Sequence, residues 1–242
     1  MRKGEIPLIK NKRLLVLLAI LFAVTEAALL ILLETSGGEL TKLFSYSGII
    51  LACIFCSLFA ERSAAYILTQ TALIFTAIAD YFLVLPSSPN QLYAMLAFSI
   101  TQLAYFLRLW LEDSNALRRK WHLICRGVII AIAITLTLCV LGNNTDAIAI
   151  VSMFYYANLA TNLLFACINA KSSPLMAVGF ALFILCDTVI GLDMIDAYLP
   201  VSPVIDKIIH PGFNLAWVFY LPSQAILALS LLPNRLKGNN LK

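Results

Sequence analysis

Charge is the scarcest property of this sequence. Only 12% of its 242 residues are Asp, Glu, Lys or Arg, against about 25% in soluble domains. Some 61% are hydrophobic, and the mean hydropathy is +0.90. A water-soluble globular fold is excluded, and the chain reads as an all-α polytopic membrane protein. Histidine is nearly absent: His122 and His210 stand alone, so nothing points to a metal, and no cofactor is expected. Low-complexity runs and a soluble domain are also missing. The net charge of +4 therefore implies no nucleic-acid partner, because the basic residues cluster in loops and no segment is long enough to hold a groove. The six cysteines lie mostly in apolar runs, where cysteine commonly serves as a small buried hydrophobe, and no disulfide framework is inferred. Cys53-x-x-Cys56 has neither a second pair nor a nearby histidine and reads as packing.

Long apolar runs are abundant. About 20 such residues cross a bilayer, and eight runs qualify: 14–33, 43–60, 64–85, 91–111, 122–141, 147–168, 174–194 and 213–232. The first follows a basic start (Arg2, Lys3, Lys10, Lys12, Arg13), as a signal peptide would. Its apolar core is too long, however, and no clear small-x-small cleavage site follows. With the N-terminus cytoplasmic, fifteen Lys and Arg fall on the inner side and only Lys42 and Lys207 on the outer. That bias requires an even number of spans with both termini inside. The expectation is an eight-transmembrane-helix bundle over 14–232, with a cytoplasmic basic N-terminus at 1–13 and a cytoplasmic tail at 233–242. A bacterial source would place it in the plasma (cytoplasmic) membrane. Trp110 and Trp121 fall at the inner interface, Tyr93 and Tyr198 at the outer. Two loops are long: a basic inner one between spans four and five, and an outer one from Asp193 to Gly212. The outer loop reads as a solvated connection, with covering an entrance as the alternative.

Two acids interrupt these runs. Asp80 sits within TALIFTAIADYFLVL and Asp187 within GFALFILCDTVIGL. A carboxylate in hydrocarbon costs about 2.5–3.5 kcal/mol on insertion scales, so it usually faces a protein interior or a wet cavity. Neither has an evident intramembrane Lys or Arg partner, and Glu26 has none in its own span. The two aspartates are expected to face one shared pocket. Counted along each helix, Asp80, Asp187, Glu26, Gln102, Asn158 and Gln224 share a layer between the midplane and the outer third. Helical spacing aligns Thr69, Thr76 and Asp80 on span three, and Ser99, Gln102 and Tyr105 on span four. Ser152, Tyr155, Asn158 and Asn162 align in the same way on span six. Such stripes turn inward, because unsatisfied polar groups are costly in hydrocarbon. They either glue helices together or line a cavity. Pro222, just before Gln224, favours a kink. Spans three-four and seven-eight each pair an Asp helix with a Gln helix, which suggests two related four-span halves. A serine or cysteine hydrolase is disfavoured, since no histidine lies at the depth of the acids. A retinal photoreceptor would need an interior lysine that spans seven and eight lack.

At these residues the chain resembles the YhhN-type family of integral membrane proteins, from about Ala64 onward. The family's Gly-Asp with following aliphatics is matched by Ala79-Asp80 and Leu83, and its Phe-x-x-x-His-x-x-Tyr by Phe98, Gln102 and Tyr105. Its Gly-x-x-x-Phe-x-x-Ser-Asp is matched by Gly179, Phe183, Cys186 and Asp187, and its Tyr-x-x-Ala-Gln by Tyr220, Ser223 and Gln224. The departures are Ala79 for Gly, Cys186 for Ser, and Gln102 for His, which removes a titratable group. Characterised members are lysoplasmalogenases, so the resemblance implies hydrolysis of a lysoplasmalogen's 1-alkenyl ether to a fatty aldehyde and glycerophosphoethanolamine or glycerophosphocholine. On that reading Asp80 and Asp187 are the catalytic pair, one as acid and one ionised. Gln102, Tyr105 and Gln224 hold water and ether oxygen, and Tyr155, Asn158, Tyr220 and Glu26 complete the binding set. The partners implied are a lysophospholipid or other amphipathic lipid and the bilayer. The alternatives are a non-catalytic lysolipid-binding relative, or a proton-coupled small-molecule transporter using the same cavity.

Overall fold

The computed structural model describes residues 11–59, 63–200 and 202–232. The expected basic segment up to residue 10, Arg62 and the tail from 233 lie outside them. Among the described residues the fold is all-helical: α1 (Lys12–Thr35), α2 (Glu39–Phe59), α3 (Ala64–Val84), α4 (Gln91–Glu112), α5 (Ala116–Leu141), α6 (Ala147–Ile168), α7 (Pro174–Met194), α8 (Pro203–Ile209) and α9 (Leu215–Leu229). The helices α1 to α7 are long and apolar enough to cross a membrane, whereas the apolar α9 has 15 residues. At about 1.5 Å per residue, α9 is shorter than a bilayer core. It begins after the Pro211-Gly212 bend, with Asn214 capping the N–H of Trp217.

Start signals in the sequence fix most boundaries. Asn11, Ser63, Asn90, Asn115, Asp146 and Asn214 each turn a side-chain oxygen onto a free N–H of the first turn, satisfying a donor that would otherwise lack a partner. Asn115 corrects the expected long basic loop. It starts α5 at Ala116, six residues before the anticipated span, so only Asp113 to Asn115 connect α4 and α5. Arg118 donates to both carboxylate oxygens of Asp113, at 2.5 and 2.7 Å. That guanidinium holds Asp113 below the usual carboxylate range.

The helices close into a ring. In it α1 packs on α2 and α9, α2 on α3 and α9, α3 on α4, α4 on α6, α6 on α7, and α7 on α9; α5 docks outside on α6. Lipid tails are as apolar as leucine, so close approach and interhelical hydrogen bonds must hold the pairs together. Between α3 and α4 the contact is built from Ala72, Ala79, Ala94, Ala97 and Ala104, all buried. There Thr101 donates to the Ala72 carbonyl at 3.2 Å and lies 3.3 Å from the Thr76 hydroxyl. Arg108, one of the fifteen basic residues assigned to the inner side, is buried. It donates to the hydroxyls of Thr69 (2.8 Å) and Ser230 (2.7 Å) and pairs with Glu112 at 3.3 Å, tying α3, α4 and the end of α9 together.

Between α7 and α9 the close approach rests on Gly179. A Cβ there would lie 2.7 Å from Cγ of Leu227, which is itself fully buried and has nowhere to move. Gly179→Ala is expected to destabilise the detergent-solubilised protein by about 1–3 kcal/mol. Gly191→Ala, in the same helix with nothing within 4 Å of the added carbon, should be neutral or stabilising by up to ~1 kcal/mol. Thermal denaturation of the two variants side by side checks the difference.

Candidate functional site

Asp80 lies near the C-terminal end of α3 and Asp187 in the second half of α7. Both line one cavity of about 660 Å³, within the ~300–1,000 Å³ typical of small-molecule sites. Each acid receives a phenol. Tyr220 of α9 donates to Oδ2 of Asp80 at 2.6 Å, and Tyr155 of α6 donates to Oδ2 of Asp187. Oδ1 of each is left for whatever occupies the cavity. Asp80 is buried and Asp187 half-buried. A second contact between α6 and α7, from the Tyr156 hydroxyl to that of Thr188 at 2.8 Å, keeps the Asp187 side aligned.

The cavity takes the C-terminal halves of α3 and α7 and the N-terminal halves of α4, α6 and α9. It therefore opens at the end of the bundle opposite Arg118 to Lys120. Leu83, Val84, Met95, Val189 and Ile190 supply aliphatic wall, and Phe98, Tyr155, Trp217 and Tyr220 supply aromatic wall. The 193–212 connection is more than a solvated loop. It folds into a short turn at Ile195–Ala197 and into α8, and Asp193, Met194, Ile195, Ile209 and His210 line the cavity mouth. His210 bridges it, with its ring nitrogens 3.3 Å from Asp193 and 3.1 Å from Asp206.

Of the nine residues put forward as the catalytic pair and binding set, Asp80, Asp187, Tyr155 and Tyr220 meet here. The other five do not line this cavity, which divides the expected single polar layer. Gln102 is fully buried and accepts from Asn162 at both its carbonyl and its side-chain oxygen, 2.9 Å each. Asn158 accepts from Arg126 and donates to the Phe154 carbonyl. Tyr105 packs edge-on against Phe180. Gln224 donates to its neighbour Ser223 at 3.1 Å. Glu26 lies buried among α1, α2 and α9, where a Cβ on Gly48 would be 3.1 Å from its Oε2. Helical spacing assigns a face but not which neighbour fills it, and these five turn to the packed interior between and within helices rather than to the cavity.

Sequence reasoning missed Arg126. It was counted with the basic inner segment, yet it is buried beside His122 and lies over the Phe106 ring at 4.1 Å. Its guanidinium donates to Asn158 and, at 2.5 Å, to Asn162. The available signal was spacing: 122 and 126 on α5 match 158 and 162 on α6, both four apart. Among the described residues, no three His, Cys, Asp or Glu side chains stand together to hold a metal.

A model of the YhhN family matches residues 40–231. The chain belongs to the YhhN family. No curated protein and no solved structure matches it. The YhhN match runs from the start of α2 through α9 and takes in both aspartates and both tyrosines, while α1 and its Glu26 precede it. This YhhN protein is a multi-pass membrane protein with two carboxyl groups facing one pocket.

Arg126 yields a test of the network beneath that pocket. A buried charge left short of acceptors costs more than a buried amide oxygen left without a donor. Asn162→Leu should therefore destabilise by about 3 kcal/mol or more, whereas Arg126→Met should be markedly milder. Denaturation midpoints in detergent compare them.

Proposed function

We propose that this protein is a membrane-embedded hydrolase that cleaves the vinyl-ether bond of a lysoplasmalogen. One observation carries the reading: two carboxyl groups from helices more than a hundred residues apart in sequence line a single cavity, each oriented by a tyrosine. Vinyl-ether hydrolysis asks for two such groups. One carboxylic acid delivers its proton to the β carbon of the double bond, leaving an oxocarbenium ion between the α carbon and the ether oxygen. The second, ionised carboxylate stabilises that cation and takes a proton from the water that adds to it. The resulting hemiacetal collapses to a fatty aldehyde and the free glycerophospho-alcohol, so one water is consumed for each bond broken. Glycosidases divide two carboxyl groups in a related way around a similar cation, and unlike environments separate the roles. The greasy walls beside the aspartates suit an alkenyl chain, and the polar mouth around Asp193 and His210 suits a head group.

The family's histidine is replaced here by Gln102, and this position lies outside the cavity. The departure therefore removes no group from the set proposed to react.

Purified protein in detergent is expected to release aldehyde from a lysoplasmalogen and none from the saturated ether analogue. Asp80→Asn and Asp187→Asn should each lower the rate at least ~10²-fold, the usual scale of a general acid or base. Turnover that survives in the double variant would remove the carboxyl mechanism.

A further inference from the structure

The walls of the cavity carry a second message. Asp80, Asp187 and Asp193 line it, and among the described lining residues there is no Lys or Arg. Its one base, His210, is already held between Asp193 and Asp206. Phe98, Tyr155, Tyr156, Trp217 and Tyr220 also line it, and all but Tyr156 belong to one connected run of rings that passes through Phe183. Tyr155, on Asp187, stacks on Phe98 at 5.4 Å; Phe98 meets Phe183 at 6.1 Å; Phe183 meets Tyr220, on Asp80, at 5.9 Å; and Tyr220 meets Trp217 at 5.3 Å. The rings thus join one aspartate to the other. Aromatic faces attract cations, tryptophan most strongly, and the effect grows when water is excluded. A pocket made of carboxyl groups and π faces, with no lysine or arginine and its one histidine engaged by two aspartates, is built for positive charge.

We propose that Phe98 and Trp217 form a cation-stabilising wall in the cavity the two aspartates share. The cavity then favours amphiphiles that carry, or develop during reaction, a positive centre at the depth of Asp80 and Asp187. This extends the hydrolase reading, in which that centre is the oxocarbenium ion. Rings that hold the cation better than the neutral vinyl ether accelerate its formation, since only such differential binding raises the rate. Phe183, fully buried and not itself lining the cavity, links Phe98 to Tyr220.

The test uses two probes of similar shape with the same diol head: a long-chain alkylaminopropanediol, protonated at neutral pH, and the uncharged alkylglycerol ether with oxygen in place of that nitrogen. Calorimetric titration into the intact protein should show the ammonium binding at least ~10-fold more tightly than the ether, as a mimic of the cation would. Phe98→Leu and Trp217→Leu should each weaken the ammonium by roughly three- to thirtyfold and leave the ether within twofold. Trp217→Phe should restore most of the loss. Equal affinity of the two probes for the unaltered protein would overturn the proposal, as would an equal loss of both in the leucine variants, which would mark the rings as packing alone. Ammonium preference without vinyl-ether turnover would sink the hydrolase reading and leave this one standing. Turnover without ammonium preference would do the reverse.

Discussion

A carboxyl group inside a bilayer has to find its partners within the protein, and this constraint organises the fold. Asp80 and Asp187 each receive a phenolic O–H from a helix other than their own. The first bond ties α3 to α9 and the second ties α7 to α6. Together they draw in four of the five helices that wall the cavity; α4 joins through the alanine-lined contact with α3. The same two bonds that make burial tolerable therefore also bring the acids into one space. If either tyrosine belonged to another face, its aspartate would turn elsewhere for a donor and the cavity would lose half its chemistry.

The placement of the cations follows the same economy. Arg108 and Arg126 are both buried, yet neither approaches an aspartate of the cavity. Arg108 is satisfied by two hydroxyls and Glu112, and Arg126 by two asparagines and an aromatic face. A guanidinium beside Asp80 or Asp187 would form a buried ion pair with strong mutual attraction, and both carboxyl oxygens would then be occupied. Keeping the charges apart leaves one oxygen of each acid available. It also leaves the pocket acidic and aromatic in character, at the end of the bundle away from the basic turn.

Family membership and geometry illuminate different parts of the molecule. The YhhN match spans the helices that build the cavity, and the family's departures here fall on Ala79, Gln102 and Cys186. Ala79 is fully buried and packs in the main apolar cluster. Gln102 belongs to the asparagine and arginine network beneath the pocket. Cys186 alone of the three lines the cavity, beside Asp187. Two of the three changes thus alter support rather than the space in which chemistry would occur.

The helices were readable in the sequence because their cause is local. Apolar length, a capping side chain and the absence of charge each act within a few turns, and the seven long spans appear where they were expected, with α5 starting earlier at its Asn115 cap. The buried acids were readable for the same reason, since an aspartate in a greasy run stands out without any knowledge of its neighbours. What lies opposite a side chain is a property of two helices at once. Only tertiary structure could send Tyr155 and Tyr220 to the cavity while Gln102 and Asn158, at similar depth and with similar polarity, went to interhelical bonds. Arg126 likewise looked like a loop charge until α6 supplied two amide oxygens at matching spacing. Sequence by itself determined which groups had to be hidden from lipid, because that depends on one residue and its solvent. Packing decided which of them share a space, because that depends on which helix faces which.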